Sequence, residues 1–234
     1  MRWSADLQRQ RLIHRLLRGL YLSSRRQPVG VQQWDAQYAG DYGDRLGSIN
    51  EVTHHMAIVG YLAYGANEPR VLDVGCGHGR LLQLLADFHF AEYVGVDWSG
   101  QAVKEARSLS IPRTRFEVAD MDHWDTTERF DAVVLNESLY YSSVDPGEMF
   151  ERTIGWLTED GIVIVSIFRN FGSRYVWSRI RSDSVEQLAA CAVKDVRTGK
   201  IWDVKVLRPH MAILETRSKR PQYANPRLDN AADG

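Results

Sequence analysis

The stretch Val71-Leu-Asp-Val-Gly-Cys-Gly-His-Gly-Arg80 decides how this chain folds. Aliphatic and β-branched residues follow the turn pair Glu68-Pro69 and then break into glycines at alternate positions, Gly75, Gly77 and Gly79. Leu81-Leu-Gln-Leu-Leu85 next takes up helical spacing, so the pattern predicts strand, tight loop, helix. Glycines here accept φ > 0 and carry no side chain to hold a ligand away, while the helix start presents free N–H groups. Such a loop holds its ligand against main chain. A dinucleotide fingerprint would need its third glycine at Arg80, and the Gly-Lys-Ser/Thr of a triphosphate-binding loop is missing. The stretch offers instead an acid, Asp73, ahead of G-x-G-x-G.

Downstream, further strands and helices follow. Ala91-Glu-Tyr-Val-Gly-Val-Asp97-Trp98-Ser99 reads as a second buried strand ending in an acid, with Ser99 as N-cap of a helix from Gln101 to about Leu109. Asp97 follows Asp73 by 24 positions, near the roughly 20 expected for a carboxylate that receives ribose hydroxyls in a βαβ unit. A third strand, Arg115 to Ala119, ends at Asp120-Met121, and a fourth, Phe130 to Asn136, leads into Glu137-Ser-Leu-Tyr140-Tyr141. Three acids at three successive strand ends stand where open α/β sheets bind ligands. Asp145-Pro-Gly-Glu148 opens a helix whose apolar face is Met149, Phe150, Ile154 and Leu157; Asp160-Gly161 then turns the chain into a fifth strand, Ile162 to Phe168. After a helix near Ser173 to Ser182, Cys191 to Arg197 and Ile201 to Arg208 alternate as two strands about a turn at Thr198-Gly199-Lys200. From about Lys219 the chain is polar and expected to be disordered.

Upstream, residues 1–26 form a basic arm. On a helical wheel Leu12, Ile13, Leu16, Leu17 and Leu20 gather on one side and Arg11, Arg15 and Arg18 fall opposite, which suits packing on the domain or a partner, or peripheral contact with an anionic membrane surface. Trp34 to Tyr38 and Asp41 to Asp44 are aromatic and acidic, as in a loop or short helix over a pocket. Ser48-Ile-Asn-Glu51 reads as a capping box for a helix to about Tyr64. Its expected buried stripe is Val52, Met56, Val59 and Ala63, with His54 opposite and His55 near the edge.

Composition narrows the class. With 234 residues, 44% hydrophobic and 25% charged, the chain suits one α/β domain with appended elements. A formal charge of −1 gives no global pull toward nucleic acid. Two cysteines, Cys76 and Cys191, supply neither a disulfide framework nor a metal-ligand spacing, so no metal site is expected. With no secretory signal and no apolar run of about 18 residues, a cytoplasmic protein is expected.

From Glu68 to Arg208 the motifs at Asp73 to Gly79, at Asp97, at Asp120-Met121 and along the fourth strand resemble those of class I S-adenosylmethionine-dependent methyltransferases. The resemblance implies a doubly wound, mostly parallel, Rossmann-like seven-stranded sheet with an antiparallel C-terminal hairpin. It divides the chain into a helical arm and cap (1–66), a cofactor-binding domain (67–210) and a tail (211–234). It implies S-adenosylmethionine held by Tyr38, Asp73, Gly75, Cys76, Gly77, Gly79, Asp97, Trp98, Ser99, Asp120, Met121 and Asn136. Tyr42 is expected to close over it with Tyr38. Glu137 is the first candidate for proton acceptor or substrate anchor, with Asn136, Tyr140, Tyr141 and His55 beside it and His123 a lesser candidate. The Asn-Glu-Ser-Leu-Tyr-Tyr segment also resembles small-molecule branches, including nodulation-type N-methyltransferases and enzymes of glycans and metabolites. The Asn/Asp-Pro-Pro-Tyr/Phe motif of enzymes acting on DNA bases and protein glutamine is missing. The expected partner is therefore a small-molecule methyl acceptor. Two other readings use the same sheet: a nicotinamide-dependent reductase, disfavoured by Arg80 and the acid trio, and a non-catalytic cofactor-binding module, disfavoured by Glu137 and the aromatics.

Overall fold

In the computed structural model the described residues are 12–13, 15–19, 21, 30–40, 49–65, 67–180 and 183–210. Helices α1 (Val31–Tyr38) and α2 (Ile49–Gly65) precede strand β1 (Arg70–Val74). Then come α3 (Arg80–Leu85), β2 (Glu92–Asp97), α4 (Gly100–Ser108), β3 (Thr114–Val118) and β4 (Phe130–Asn136). A single 3-10 turn, Leu139–Tyr141, leads to α5 (Pro146–Ile154), β5 (Leu157–Phe168), α6 (Ser173–Arg179), β6 (Val185–Lys194) and β7 (Ile201–Pro209). The strands form one seven-stranded sheet in the order β3-β2-β1-β4-β5-β7-β6. All neighbours from β3 to β5 are parallel, and β7 runs antiparallel to both β5 and β6. The strand order reverses between β1 and β4, which opens a crevice at their carboxyl ends.

Both faces of the sheet are covered, because its central strands carry apolar residues on both sides. In β4, Val133 and Leu135 join one core with Met149, Phe150 and Ile154 of α5, while Ala132 and Val134 join another with Ile58, Val59 and Leu62 of α2. Gly95 in β2 is small by necessity: a Cβ there would lie 2.6 Å from the Phe116 ring and 2.8 Å from Cys76 Sγ. At the amino-terminal edge Arg70 pairs with Glu92 and Glu128, and Arg115 with Glu117 and Glu128, tying β1, β2, β3 and the approach to β4.

The structure corrects several expectations. The buried face of α2 is His54, His55, Ile58, Val59 and Leu62, whereas Met56 is 44% exposed. The helix is rotated because the sheet offers it Trp202, on which His54 stacks at 4.7 Å, a partner that helical periodicity alone does not reveal. Asp160 and Gly161 lie inside β5 instead of turning the chain, and Leu157 is the first residue of β5, not the last of the α5 face. A register shift between Phe130 and Ala132 absorbs the extra residues, and Gly161 lets β5 approach, since a Cβ would sit 3.0 Å from the Phe130 carbonyl. Strand β6 starts at Val185, six residues before the expected Cys191, and ends at Lys194; the turn is closed by Gly199 N donating to the Asp195 carbonyl. Helix α6 stops at Arg179; residues 181 and 182 lie outside the described residues.

In the arm, residues 15–19 are helical, and among the described residues there Leu17 and Tyr21 pack inward, Tyr21 stacking on Tyr175 of α6 at 4.8 Å. Leu12, Ile13 and Leu16 are exposed, so the expected single apolar side is split. Leu20, Arg11, the segment from Asp41 to Ser48 that contains Tyr42 and the Ser48 cap, and the tail from residue 211 lie outside the described residues. No described helix is long and apolar enough to cross a membrane.

Replacing Gly95 by Ala is expected to destabilise the protein by about 1–3 kcal/mol through overpacking against Phe116 and Cys76. Urea unfolding measures it, and Phe116→Leu in the same chain should return part of the loss; an unchanged midpoint would contradict this packing.

Candidate active site

The glycine loop leaves β1 and is drawn against β2 by two main-chain bonds, Gly75 N and Cys76 N both donating to the Val96 carbonyl at 2.7 and 3.1 Å. Gly75 and Gly77 adopt φ of 83° and 54°. A Cβ on Gly75 would lie 2.5 Å from Ser138 Cβ, and one on Gly77 would lie 2.6 Å from the Tyr38 hydroxyl. The loop is thus pinched between the segment after β4 and the end of α1, and glycine is required for both reasons. Cys76 turns its buried thiol into the core beside Gly95, where burial pushes its pKa up.

Asp97 ends β2 with Oδ2 accepting from Gly77 N and Oδ1 from Ser99 N, each at 2.9 Å. Burial pushes its pKa up against the lowering effect of those bonds. A carboxylate has about four acceptor sites, so main-chain donors leave part of its capacity for hydroxyls. Ser99 caps α4 as expected, accepting from Ala102 N, and donates to Asp35 Oδ1 at 2.6 Å. Asp35 also accepts from Gln101 N, so α1 is fastened across the start of α4 with Trp98 half-buried just before it.

Asp73 is 2% exposed. Its Oδ2 accepts from the Tyr93 hydroxyl, whereas its Oδ1 is buried without a partner. Burial pushes its pKa up to about 7, with the Asp97 charge adding to the shift and the Tyr93 bond opposing it. Asp120 stands half-exposed just past β3 and closes its own turn, accepting from Asp122 N at 3.0 Å and pairing with His123 Nδ1 at 2.9 Å. His123 is a surface group, its side chain 84% exposed. Met121 packs on the core beside it.

Aromatic rings run over this edge. Tyr38 lies 6.0 Å from His78 and 6.1 Å from Trp34; Trp34 meets Tyr141 edge-on at 5.1 Å, and Tyr141 meets Tyr140 at 4.7 Å. This arc joins the glycine loop to the segment after β4. There Glu137 takes φ of 57°, a left-handed backbone costly for a residue with a Cβ. Its Oε2 accepts from the Tyr140 hydroxyl at 2.6 Å and its Oε1 from Phe168 N at 2.5 Å, with the Trp202 ring N–H donating as well. Burial raises its pKa to about 7 in spite of those donors. Asn136, at the end of β4, has Oδ1 buried without a partner.

The two histidines divide. His55 Nδ1 donates to the Glu51 carbonyl at 2.9 Å, leaving Nε2 as the lone-pair nitrogen, and the ring faces the Arg80 and His78 charges. His54 lies against Trp202 with neither ring nitrogen bonded. Burial holds His54 neutral, its pKa lowered to about 2, and lowers that of His55 as well. Thus Tyr38, Gly75, Gly77, Gly79, Asp73, Asp97, Trp98 and Ser99 surround one loop, and Asn136, Glu137, Tyr140 and Tyr141 stand across the crevice, while Asp120 and Met121 mark its far end.

Residues 66–210 match the family model described as "Methyltransferase domain". The chain belongs to the class I S-adenosylmethionine-dependent methyltransferase family. Within that family it is 32% identical over 104 residues to the trans-aconitate 2-methyltransferase of Rhizobium etli, covering 44% of this chain and 40% of that protein. The enzyme of the same name from Escherichia coli is 31% identical over 106 residues, 45% of this chain and 41% of the relative. The matches span about two fifths of these relatives' lengths. In fold, the chain is similar to the N-methyltransferase NodS of Bradyrhizobium japonicum in complex with S-adenosylhomocysteine, with a TM-score of 0.66 and 18% identity over 76% of this chain and 97% of that one. It is also similar to the Burkholderia thailandensis 1,6-didemethyltoxoflavin-N1-methyltransferase, with a TM-score of 0.62 and 20% identity over 76% and 86% of the two chains.

Sequence reading missed Tyr93, Asp35, Trp202 and the burial of His54. Tyr93 sits mid-strand, where an aromatic signals only core, and its bond to Asp73 exists because β1 and β2 are in register, Asp73 beside Gly95. The others act across more than sixty positions, a distance at which no spacing rule operates.

Because Asp73 titrates near 7 in the folded chain and near its ordinary value when unfolded, the folded state binds the extra proton between those values. Stability is full at low pH and falls as pH rises through about 7. Asp73→Asn should therefore unfold at higher urea than the parent at pH 8, by on the order of 2 kcal/mol, and match it near pH 4. The same variant should bind S-adenosylhomocysteine roughly tenfold or more weakly by calorimetry, since a charged hydrogen bond is lost. Equal affinity would contradict a ligand contact at Asp73.

Proposed function

We propose that this protein transfers a methyl group from S-adenosylmethionine to a nitrogen or oxygen of a small molecule. One observation carries the reading: the acids Asp73, Asp97 and Asp120 line successive carboxyl ends of β1, β2 and β3 around a glycine loop whose side-chain space is already taken up by Ser138 and Tyr38. The buried, unpartnered Asp73 Oδ1 suits an ammonium, the open acceptor sites of Asp97 suit ribose hydroxyls, and Asp120 with Met121 suits an adenine edge and face. When bound, the cofactor supplies a methyl carbon activated by sulfonium charge. The residues across the crevice then position the acceptor and take its proton.

Glu137 is placed for the proton. With its pKa raised to about 7, its carboxylate is both present at neutral pH and basic enough to hold a proton. Tyr140 and the Phe168 N–H fix its two oxygens, so its strained backbone delivers a single orientation. The arc of Tyr38, Trp34, Tyr141 and Tyr140 shields the crevice from water, and positioning supplies the larger part of the rate. Names of relatives support small acceptors, trans-aconitate in the trans-aconitate 2-methyltransferases and 1,6-didemethyltoxoflavin in the Burkholderia thailandensis enzyme.

Thermal unfolding tests cofactor choice: S-adenosylhomocysteine at 100 times its Kd should add about 2.7 kcal/mol, a shift of roughly 5–10 °C. Stabilisation by NAD(P)H with none by S-adenosylhomocysteine would reverse the reading. In turnover of an accepted substrate, kcat should rise with pH through about 7 and level off as Glu137 ionises. Glu137→Gln should flatten that profile and lower kcat by about 100-fold at pH 8 with S-adenosylhomocysteine affinity kept. A profile unchanged in the variant would remove Glu137 from the proton's path.

A further inference from the structure

We propose that the arm ahead of α1 holds this protein on an anionic lipid surface, with Leu12, Ile13 and Leu16 entering the headgroup layer. The proposal concerns where the protein works and does not depend on which acceptor it methylates.

The described part of the arm is helical and carries two apolar strips. Leu17 and Tyr21, one turn apart, are spent on the domain, where Tyr21 stacks on Tyr175. Leu12, Ile13 and Leu16 form the neighbouring strip at i, i+1 and i+4, and they are between 47% and 59% exposed. Docking on α6 therefore uses one side of the helix and leaves the other to water. Arg15 borders the exposed strip and is itself exposed, and Arg18 lies close enough to α6 for its charge to act on the Tyr175 hydroxyl. Tyr175 is in the first turn of α6, which begins just after β5 ends, so the arm is anchored at the end of the molecule where Asp73 and Asp97 gather.

Charge selects the occupant of this strip. Residues 1–26 hold seven arginines and one acid, so of the chain's formal −1 they carry +6 and the remainder carries −7. Leucine and isoleucine on one side of a helix with arginine beside them is the pattern that lies in a membrane interface, the apolar side chains below the headgroups and the guanidinium groups among the phosphates. An anionic surface attracts the arm and repels the acidic body, which fixes the side of the molecule that meets the lipid. Two copies meeting through this strip would instead bring their own arginines together, because a two-fold contact sets a patch against itself. Nucleic acid would satisfy the arginines through its phosphates and leave the leucines without a partner.

The test uses the full chain and two kinds of vesicle, phosphatidylcholine alone and equal parts of phosphatidylcholine and phosphatidylglycerol, read by co-sedimentation. The mixed vesicles should carry the protein down, less so as salt is raised, and phosphatidylcholine alone should carry little. Leu12→Ser, Ile13→Ser and Leu16→Ser together should weaken binding to the mixed vesicles by roughly tenfold or more. Thermal unfolding should stay near that of the parent and S-adenosylhomocysteine affinity within about twofold, since these side chains are exposed. The single change Arg15→Glu should weaken vesicle binding by roughly fivefold or more. Equal binding to the two kinds of vesicle, or undiminished binding by both variants, overturns the proposal. So does a concentration-dependent dimer in sedimentation velocity that the triple variant abolishes, which would assign the strip to a second copy. RNA binding that Arg15→Glu weakens, with the mixed vesicles left unbound, would assign the arm to nucleic acid and overturns it as well.

Discussion

The carboxylate of Asp97 holds the carboxyl edge of the sheet together. Its two oxygens take the N–H groups of Gly77 and Ser99, so one side chain fixes the glycine loop against β2 and starts α4. Through Ser99 the constraint extends to Asp35 and thereby to α1, which brings Tyr38 over Gly77 and Trp34 against Tyr141. Loop, strand end, helix start and aromatic cover are consequences of a single acid at the end of β2. Replacing its hydrogen-bonding geometry would release each of them together.

That arrangement holds carboxyl groups in poorly hydrated surroundings. Asp73 and Glu137 are both pushed up to about 7, chiefly by burial, and Asp73 retains an unpartnered oxygen. An isolated fold would be more stable with apolar residues at these points, so their presence is intelligible only if a ligand completes them. The same holds for the left-handed backbone of Glu137, whose N–H donates to the Ser166 carbonyl and whose carboxylate accepts from Phe168 N and the Tyr140 hydroxyl. These groups gather at the carboxyl edge of the sheet, and the opposite edge carries the ion-pair network of Arg70, Arg115, Glu92 and Glu128.

What the sequence disclosed was local. The alternation of glycines after Asp73, the acids ending β2 and following β3, the Ser99 and Asp145 caps and the antiparallel ending all depend on neighbours within a few positions, and they stand as expected. The orientation of α2 did not, because helical periodicity finds an amphipathic face only when the buried side is apolar, and here two histidines are buried on it. The start of β6 and the length of β5 were hidden for a related reason: an irregular register lets polar Asp160 and Gly161 sit within a strand. The candidate site divides in the same way. Its glycine-loop side lies on short motifs, whereas the contact of Trp202 with His54 joins β7 to α2, a pairing settled by tertiary register alone.

The most direct measurement is a crystal structure of the full chain with S-adenosylhomocysteine. The account predicts the amino-acid ammonium on Asp73 beside the glycine loop, the ribose hydroxyls on Asp97 and the adenine between Asp120 and Met121, with the thioether sulfur facing Asn136 and Glu137. A nucleoside lodged away from Asp97, or one bound with the amino-acid end turned from Gly75 and Gly77, would contradict it.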